Sequence, residues 1–186
     1  MSDVWNAVKE VLSKHRLLEA SKLNPGASPE EIRGLERHIG VQLPESLKKF
    51  LMAHNGQAED GVQFFIEGML LSTSRIRYQW DVWRSIDEDE GNKNAADQMS
   101  SEPPGCIKLL YSNRNWIPLT HDFSGNHVGI DFDPDIAGTK GQIISFGADE
   151  DEKKVFAASF EEFSQQMLRT ITEADWSDFA EFRSAP

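Results

Sequence analysis

Residues 116–133, Trp-Ile-Pro-Leu-Thr-His-Asp-Phe-Ser-Gly-Asn-His-Val-Gly-Ile-Asp-Phe-Asp, contain two short strand patterns on either side of a polar, glycine-containing turn. The first pattern is apolar from Trp116 to Leu119. In the second, alternate residues point to opposite faces of a strand: Val128, Ile130 and Phe132 on one, His127, Gly129 and Asp131 on the other. The stretch therefore predicts a β-hairpin that either holds a ligand or serves as a twisted scaffold.

Other strand patterns surround this hairpin on both sides. Besides 116–120 and 127–132, strand candidates lie at 106–111, 142–146 and 154–157, separated by turn-forming pieces. Residues 62–66 and 69–71 also have an extended or edge-like pattern. Consecutive strands joined by short turns favour an antiparallel sheet over a parallel one.

Helical patterns precede the strands. Apolar residues recur at helical spacing within residues 1–20, and Ser28-Pro29-Glu30-Glu31 carries the signature of a capping box at the start of a second helix that Gly40 ends. A third helix follows Leu43-Pro44 and ends at Asn55-Gly56. A fourth helix is expected from Ser72 through Ile86.

A helical pattern also follows the strands. Ser159-Phe160-Glu161-Glu162 carries a second capping-box signature, which predicts a helix through about Ile171. The spacing of Trp176, Phe179 and Phe182 then suggests a short closing helix.

This order of elements predicts an α+β fold with a curved, mainly antiparallel sheet packed on one face by N-terminal and C-terminal helices. We expect a single domain over 1–186, with a core at about 28–170, an N-terminal helix within 1–20 and a helical tail at 172–186. Residues 87–105 are rich in acids and small polar residues, so we expect a mobile insertion there.

The net charge of −12 is unevenly distributed along the 186 residues. Residues 1–54 carry eight Lys and Arg against seven Asp and Glu, whereas residues 55–186 carry a net charge of −13. Such a surface repels nucleic-acid phosphates and anionic lipids and attracts basic partners. We therefore expect a protein partner, with no direct nucleic-acid or membrane binding; solubility alone is the alternative explanation.

Cysteine usage and the N-terminal sequence indicate a compartment. Cys106 is the single cysteine, so an intrachain disulfide is impossible and a zinc site made of several thiolates is excluded. The N-terminal residues lack a signal-peptide pattern, and no apolar run approaches the length needed to span a bilayer. We expect a soluble, cytoplasmic protein.

Specific catalytic motifs are absent from the sequence. It contains no nucleophile elbow, phosphate-binding loop, dinucleotide fingerprint or zinc-protease motif, which favours a protein that is not an enzyme. Asp131, Asp133 and Asp135 have the spacing of a calcium loop, but Ile136 replaces its glycine and Gln142 its bidentate glutamate. We therefore expect no calcium site.

Four hairpin residues, His121, Asp122, His127 and Asp131, form the best candidate for acid–base chemistry or metal binding. Their spacing is equally compatible with strand and turn positions in which Asp122 stabilises the turn, and we favour this explanation. Cys106 lies among apolar residues, which is typical of an inert thiol. The sequence predicts no catalytic residue, metal or cofactor.

The ordered set of motifs resembles the SUKH superfamily. The resemblance covers residues 28–170 and rests on these segments: Ser28-Pro29-Glu30-Glu31-Ile32, Leu43-Pro44-Glu45-Ser46-Leu47, Asn55-Gly56, Trp116-Ile117-Pro118, Asp122-Phe123-Ser124-Gly125-Asn126, Asp131-Phe132-Asp133-Pro134, Gly141-Gln142-Ile143 and Ser159-Phe160-Glu161-Glu162-Phe163. The resemblance implies an α+β module without established catalysis that binds proteins. Its motif positions, with partner binding as one possible role, are Leu43, Pro44, Asn55, Gly56, Trp116, Pro118, Asp122, Gly125, Asn126, Gly129, Asp131 and Asp133.

The superfamily has a bacterial branch of toxin-immunity proteins and a fungal branch of cell-wall regulators associated with killer-toxin resistance. Residues 68–84 resemble the fungal type, whereas the absence of long disordered flanks favours a stand-alone bacterial protein. Our leading hypothesis is therefore an immunity protein that neutralises a basic, nuclease-like toxin. A regulator of wall synthesis or signalling is the alternative, and a metal-dependent hydrolase at the four hairpin residues is the third hypothesis.

Overall fold

The computed structural model describes residues 2–65, 68–89, 92 and 95–176. Its helices in this part of the chain are α1 (Ser2–Lys14), α2 (Pro29–Ile39), α3 (Glu45–Ala53), α4 (Thr73–Asp87), a 3₁₀ turn (Ala96–Gln98) and α5 (Phe160–Glu173). Its strands are β1 (Met69–Leu70), β2 (Ser100–Glu102), β3 (Trp116–Pro118), β4 (Thr120–His121), β5 (Asn126–Asp131), β6 (Gln142–Gly147) and β7 (Glu152–Ala157). The α+β class is confirmed.

The helix boundaries follow the chemistry of their ends. At α2, the Ser28 side chain accepts a hydrogen bond from the Glu31 backbone and the Glu31 carboxylate accepts one from the Ser28 backbone, so the capping box is confirmed. Gly40 ends the helix at φ 77°, a left-handed conformation that glycine adopts without steric cost. At α5, Ser159 accepts from the Glu162 backbone, while the Glu162 carboxylate bonds to the Ala158 backbone instead.

The main sheet has five strands in the order β2-β7-β6-β5-β3. Every pair is antiparallel except β2 with β7, which is parallel. The expected mainly antiparallel sheet is confirmed, but the sheet is open and uncurled rather than curved. A separate two-stranded sheet pairs β1 with β4. Thr120 and Asp122 also form hydrogen bonds with residues of β5, so this segment lies between β1 and β5.

Two expectations about strands differ from the structure. Residues 106–111 form no strand, because the Ile107 backbone donates to the Ser101 side chain and the Cys106 carbonyl accepts from Asp135 and Gln142. The part of 87–105 that the structure describes includes the 3₁₀ turn and β2, with Met99 buried beside them. An edge strand therefore lies where we expected only a mobile insertion.

The two faces of the sheet contact different cores. The larger one, which we call the helix-face core, gathers side chains of α1, α2, α3, α4 and α5 onto Ile117, Val128, Ile130 and Ile143. The smaller one, the tryptophan core, comprises Trp83, Ile107, Trp116, Ile144 and Phe146. Trp83 belongs to α4, so this helix also packs on the face of the sheet that carries the tryptophan core. We expected helices on one face of the sheet, and the structure has a helix on the other face as well.

Strand β5 separates the two cores as its alternation predicts. Val128 and Ile130 lie in the helix-face core, and Phe132 packs against its edge. The opposite face of the strand carries His127 and Asp131, both buried. The polar residues of the hairpin thus point into the protein on the side of the tryptophan core.

Candidate functional site

The hairpin turn is organised around the carboxylate of Asp122. Its Oδ1 accepts hydrogen bonds from the backbones of Ser124 (2.8 Å) and Asn126 (2.9 Å), and its Oδ2 accepts from the Asn126 side chain (2.8 Å). Partial burial acts to raise the pKa of Asp122, but the hydrogen bonds from Asn126 and Ser124 outweigh it and lower the pKa. Asp122 therefore remains ionised and holds the turn closed.

The same turn is connected to the loop between β6 and β7. The Asn126 side-chain oxygen accepts from the Asp149 backbone at 2.9 Å. Two turn residues, Phe123 at φ 66° and Gly125 at φ 101°, have left-handed backbones, and the Phe123 side chain is 55% exposed. A left-handed phenylalanine is uncommon and is maintained here by the bonds around Asp122.

His127 is held neutral in one tautomer at the start of β5. Its Nδ1 donates to the Thr120 carbonyl at 2.6 Å, and its Nε2 accepts from the Trp83 indole at 2.9 Å. Burial lowers the pKa of His127 to about 4, against a smaller opposing effect of the Thr120 bond. Both ring nitrogens are used, so His127 has no nitrogen left to bind a metal or a substrate.

His121 stacks on His127, with ring centroids 5.0 Å apart and an interplanar angle of 20°. Its Nδ1 is buried and has no hydrogen-bond partner among the described residues. The other side of the ring contacts Phe123, whose centroid is 5.2 Å away. Aromatic stacking therefore fixes His121 between His127 and the turn.

Asp131 occupies the other end of the same face of β5. It is fully buried, accepts from the Gln142 side chain at 3.0 Å and from the Asp133 backbone at 2.8 Å. Burial raises the pKa of Asp131 to about 6, because these hydrogen bonds only partly offset desolvation of the charge. Four residues along a strand span about 13 Å, so Asp131 lies out of reach of His127.

The four hairpin residues thus do not form one acid–base or metal site. Asp122 organises a turn, His121 and His127 stack with aromatic residues, and Asp131 bonds to the next strand. Within residues 2–65, 68–89, 92 and 95–176, no three His, Cys, Asp or Glu side chains come together as metal ligands. The geometry supports the structural explanation of these residues over the catalytic one.

A cleft of about 350 Å³ lies beside the turn, where the helices do not cover the sheet. We call it the hairpin cleft; its lining includes Asp122, Asn126, Val128, Ser145, Glu150, Lys154 and Phe156. Residues 149–152, Asp-Glu-Asp-Glu, form an acidic run at one side of it. Val128 and Phe156 are the apolar residues of the lining, which is otherwise polar and carries Asp122 and Glu150 beside Lys154. Such a mixed surface suits a segment of a protein.

The helix-side motifs join elements together. The Leu43 backbone donates to the buried Glu36 carboxylate at 2.9 Å, and Pro44 is the N-cap residue that precedes α3. Lys48 reaches the same carboxylate at 3.1 Å. The Leu-Pro step therefore fixes the angle between α2 and α3.

Asn55 and Gly56 connect α3 to the start of α4. The Asn55 side chain accepts from the Thr73 backbone at 2.8 Å and donates to the Thr73 hydroxyl. Gly56 has φ 66°, and a Cβ there would lie 2.6 Å from the Leu70 carbonyl oxygen. Only glycine allows this approach, so the pair serves as a junction as well as a helix end.

The remaining motif residues pack the hairpin. Trp116 is fully buried against Phe146, and Pro118 lies on the edge strand β3 opposite Gly129. A Cβ on Gly129 would lie 2.3 Å from the Ile117 carbonyl oxygen. Asp133 accepts from Asn113 at 3.0 Å and from Lys108, which anchors the loop after β5.

None of the twelve motif positions is an exposed residue in the structure. They shape the turn, the junction and the cores, and a role in partner binding stays a prediction.

Nothing in the sequence indicated Lys153, which is fully buried, donates to the Glu150 carbonyl at 2.7 Å and lies 5.6 Å from the Trp116 ring. Burial lowers its pKa to about 8, and no sequence pattern distinguishes it from its exposed neighbour Lys154.

The fold and its ordered motifs define a domain of the SUKH class. Comparison with protein-family models gives a match to the SMI1 / KNR4 family (SUKH-1) over residues 26–166, which covers most of the chain. The chain belongs to the SMI1/KNR4 family. The resemblance found in the motifs is confirmed.

Curated relatives of the chain are fungal regulators. The chain is 27% identical to the cell wall biosynthesis/cell cycle regulator smi1 of Schizosaccharomyces pombe, over 95% of the chain and 37% of that protein. It is 26% identical to the glucan synthesis regulatory protein of Neurospora crassa, over 83% of the chain and 35% of that protein. It is also 26% identical to the cell wall assembly regulator SMI1 of Saccharomyces cerevisiae, over 92% of the chain and 40% of that protein.

The chain therefore spans about two fifths or less of the length of these three relatives. Their names describe regulators of wall and glucan synthesis and give no enzymatic activity. Among the residues that the structure describes, no helix is long and apolar enough to cross a membrane.

Proposed function

We propose that the chain is a non-enzymatic, protein-binding domain that regulates cell-wall synthesis through protein partners. The observation that carries this proposal is the family match over residues 26–166, together with relatives named as regulators of wall and glucan synthesis. Regulation of wall synthesis, which was the alternative hypothesis from the sequence, thus has more support than the leading hypothesis, immunity against a toxin.

The geometry of the hairpin supports binding rather than catalysis. The residues that offered acid–base chemistry are engaged in hydrogen bonds and stacking inside the protein. The surface beside them is the hairpin cleft with the acidic run 149–152. A partner with basic residues would meet complementary charge there, which accelerates association and makes the affinity depend on salt. We place this activity in the cytoplasm, in accordance with the single Cys106.

A chimera tests this proposal. The matching domain of the S. pombe regulator smi1 is replaced by this chain, and wall glucan content and growth on a wall-binding dye are measured in cells that contain only the chimera. We expect both to return to at least half of the wild-type value. Failure of a well-expressed chimera to improve on a deletion of the domain would contradict regulation of the wall.

Charge variants of the chimera test the surface. Glu150→Lys alters the hairpin cleft, and Glu10→Lys makes the same charge change on the exposed side of α1. We expect the first variant to lose most of the restored function and the second to keep it. Equal function of the two variants would exclude the hairpin cleft as the binding surface.

A second candidate, an immunity-type protein, is favoured by one observation, the net charge of −13 over residues 55–186. Such a field matches the basic active site of a nuclease toxin. If a toxin gene lies beside the gene for this chain, the purified chain should inhibit that nuclease at equimolar concentration. Unchanged nuclease activity at a tenfold excess of the chain would reject this candidate.

A further inference from the structure

A second concavity, of about 560 Å³, lies between the C-terminal end of α5 and the loop that contains Phe64. We call it the aromatic cleft. Its apolar walls are Phe64, Phe65, Ile171 and Trp176, and its rim includes Glu173 and Asp175. It shares no lining residue with the hairpin cleft. Its volume lies within the range of pockets that bind ligands, about 300–1,000 Å³.

The walls of the aromatic cleft are held in place before anything binds. The Trp176 indole donates to the Ile171 carbonyl at 3.1 Å and packs on His15, with ring centroids 5.5 Å apart. On the opposite wall, Phe65 meets Phe163 edge to face at 5.7 Å. A cleft with fixed walls binds with a small loss of conformational entropy.

The charge of the rim favours positively charged ligands. Glu173 and Asp175 are acidic, and the lining contains no Lys or Arg. The chain as a whole has a net charge of −12, so the rim carries the same sign as the rest of the molecule. A ligand with positive charge and apolar side chains would therefore complement both the rim and the walls.

We propose that the aromatic cleft binds a short basic segment of a protein partner, with one aromatic or aliphatic side chain between the walls and a Lys or Arg at the acidic rim. The inference rests on the proposed function, because it names the kind of segment that a protein-binding domain would take. Residues 177–186 are another source of phenylalanines, but they include Asp178 and Glu181 against Arg183 alone. Their net negative charge makes them a poorer match for the rim than a basic partner.

Selection from a library tests the charge and the anchor together. Random 12-residue peptides are selected against the full chain at about 50 mM salt, a condition under which electrostatic attraction is weakly screened. We expect enriched peptides to combine an aromatic or leucine residue with at least two Lys or Arg residues. Enrichment of acidic peptides, or of apolar peptides without a basic residue, would overturn the proposal.

Variants then locate the binding of one enriched peptide by calorimetry. Ala174→Trp fills the mouth of the cleft and should weaken binding by at least about tenfold, and Glu173→Lys by about three- to tenfold at low salt. The matched control is Glu88→Lys at the exposed C-terminal end of α4, a helix that packs against α2 and β3. It should change affinity by less than about twofold, because it lies outside the lining of the cleft and exposed charges are screened. Equal affinity of all three variants would place the peptide elsewhere and overturn the proposal.

Two further outcomes separate the inference from its alternatives. A tenfold gain in affinity on removal of residues 177–186 would identify this segment as the occupant and overturn the proposal of a partner. The wild-type chimera could restore wall glucan while the peptide binds Ala174→Trp and Glu173→Lys with unchanged affinity. This result would reject the aromatic cleft and leave the regulatory function standing. Binding to the cleft by a chain that does not restore the wall would reject the regulatory function alone.

Discussion

The two cores of the protein differ in the buried polar groups that lie beside them. The helix-face core is built mainly from aliphatic and phenylalanine side chains, with the indole of Trp5 bonded to the Phe50 carbonyl. The tryptophan core is small, and it is bordered by three buried ionisable residues, His127, Asp131 and Lys153. One face of the sheet is therefore stabilised mainly by apolar burial, whereas the other combines apolar burial with buried ionisable groups that form hydrogen bonds.

This difference bears on the motif residues of the hairpin. A helix-face side chain can be exchanged for another of similar volume at small cost. A buried histidine or aspartate needs specific partners, since a buried polar group without them is costly. Trp83, Gln142 and Asp133 supply such partners, so the motif around the hairpin describes a network of bonds rather than a catalytic site.

The largest expected effect is the loss of Trp116. Trp116→Ala empties the centre of the tryptophan core, and such truncations cost about 3–5 kcal/mol in free energy of unfolding. Urea unfolding measures the change. The control, Tyr78→Ala on the exposed face of α4, should cost less than about 0.5 kcal/mol. A cost below about 1 kcal/mol for Trp116→Ala would mean that the smaller core adds little stability.

The second prediction concerns pH and the two ends of β5. The pKa of His127 is lowered to about 4, so its contribution is present above pH 6.5 and is lost as pH falls towards 4. The pKa of Asp131 is raised to about 6, so its contribution is present below pH 3.8 and is lost as pH rises through 6. Each change amounts to about 3 kcal/mol, and the two oppose each other.

Single variants should therefore uncover opposite slopes in stability between pH 4 and 6.5. Asp131→Asn should become less stable by about 3 kcal/mol as pH falls across this window, and His127→Gln should become more stable. The wild type should change by less than either variant. Urea midpoints at several pH values provide the measurement, and parallel curves for the two variants would refute the assignment.

A smaller effect is expected at Lys153, whose charge is buried beside Trp116. Lys153→Met removes a desolvated ammonium and should raise the free energy of unfolding at pH 7 by about 1–2 kcal/mol. The wild type should gain stability from pH 8 to 10.5, because its folded pKa of about 8 lies below the unfolded value. The Met variant should lack this gain; Lys154→Met, at an exposed site, is the control.

The smallest effect tests the helix side of the comparison. Ser28→Ala removes the side-chain acceptor at the start of α2 and should cost about 1 kcal/mol, independent of pH between 6 and 9. Thermal unfolding measures it, and Ser13→Ala at an exposed position of α1 serves as the reference. A pH-dependent cost would indicate that polar groups control this face as well.

Much of the fold could be predicted from periodic patterns. The capping signatures placed α2 and α5, and the alternation in β5 assigned Val128 and Ile130 to one face. The strand predicted at 106–111 was wrong. Ile107 is buried, but it lies in a loop where its backbone forms a hydrogen bond with the Ser101 side chain. The strand Ser100–Glu102 carries no apolar alternation and forms because β7 offers it an edge, which a local pattern does not reveal.

The candidate site was predictable only in part. Asp122, Gly125 and Asn126 have the residue types of a turn, and they form one. Pairing of His127 with Trp83 joins residues 44 positions apart, so no local pattern indicates it. The aromatic cleft likewise combines Phe64 with Trp176. These two residues are far apart in the sequence and come together only when the chain folds.

The short strand β2 has a consequence for how this domain behaves at high concentration. It pairs with β7 at three positions, so the sheet ends in a three-residue edge with exposed Ser100 and Glu102 rather than in the six-residue strand β7. Long free edges invite pairing between copies of a protein, and a short charged edge discourages it. Strand β2 therefore helps to keep the folded chain from aggregating.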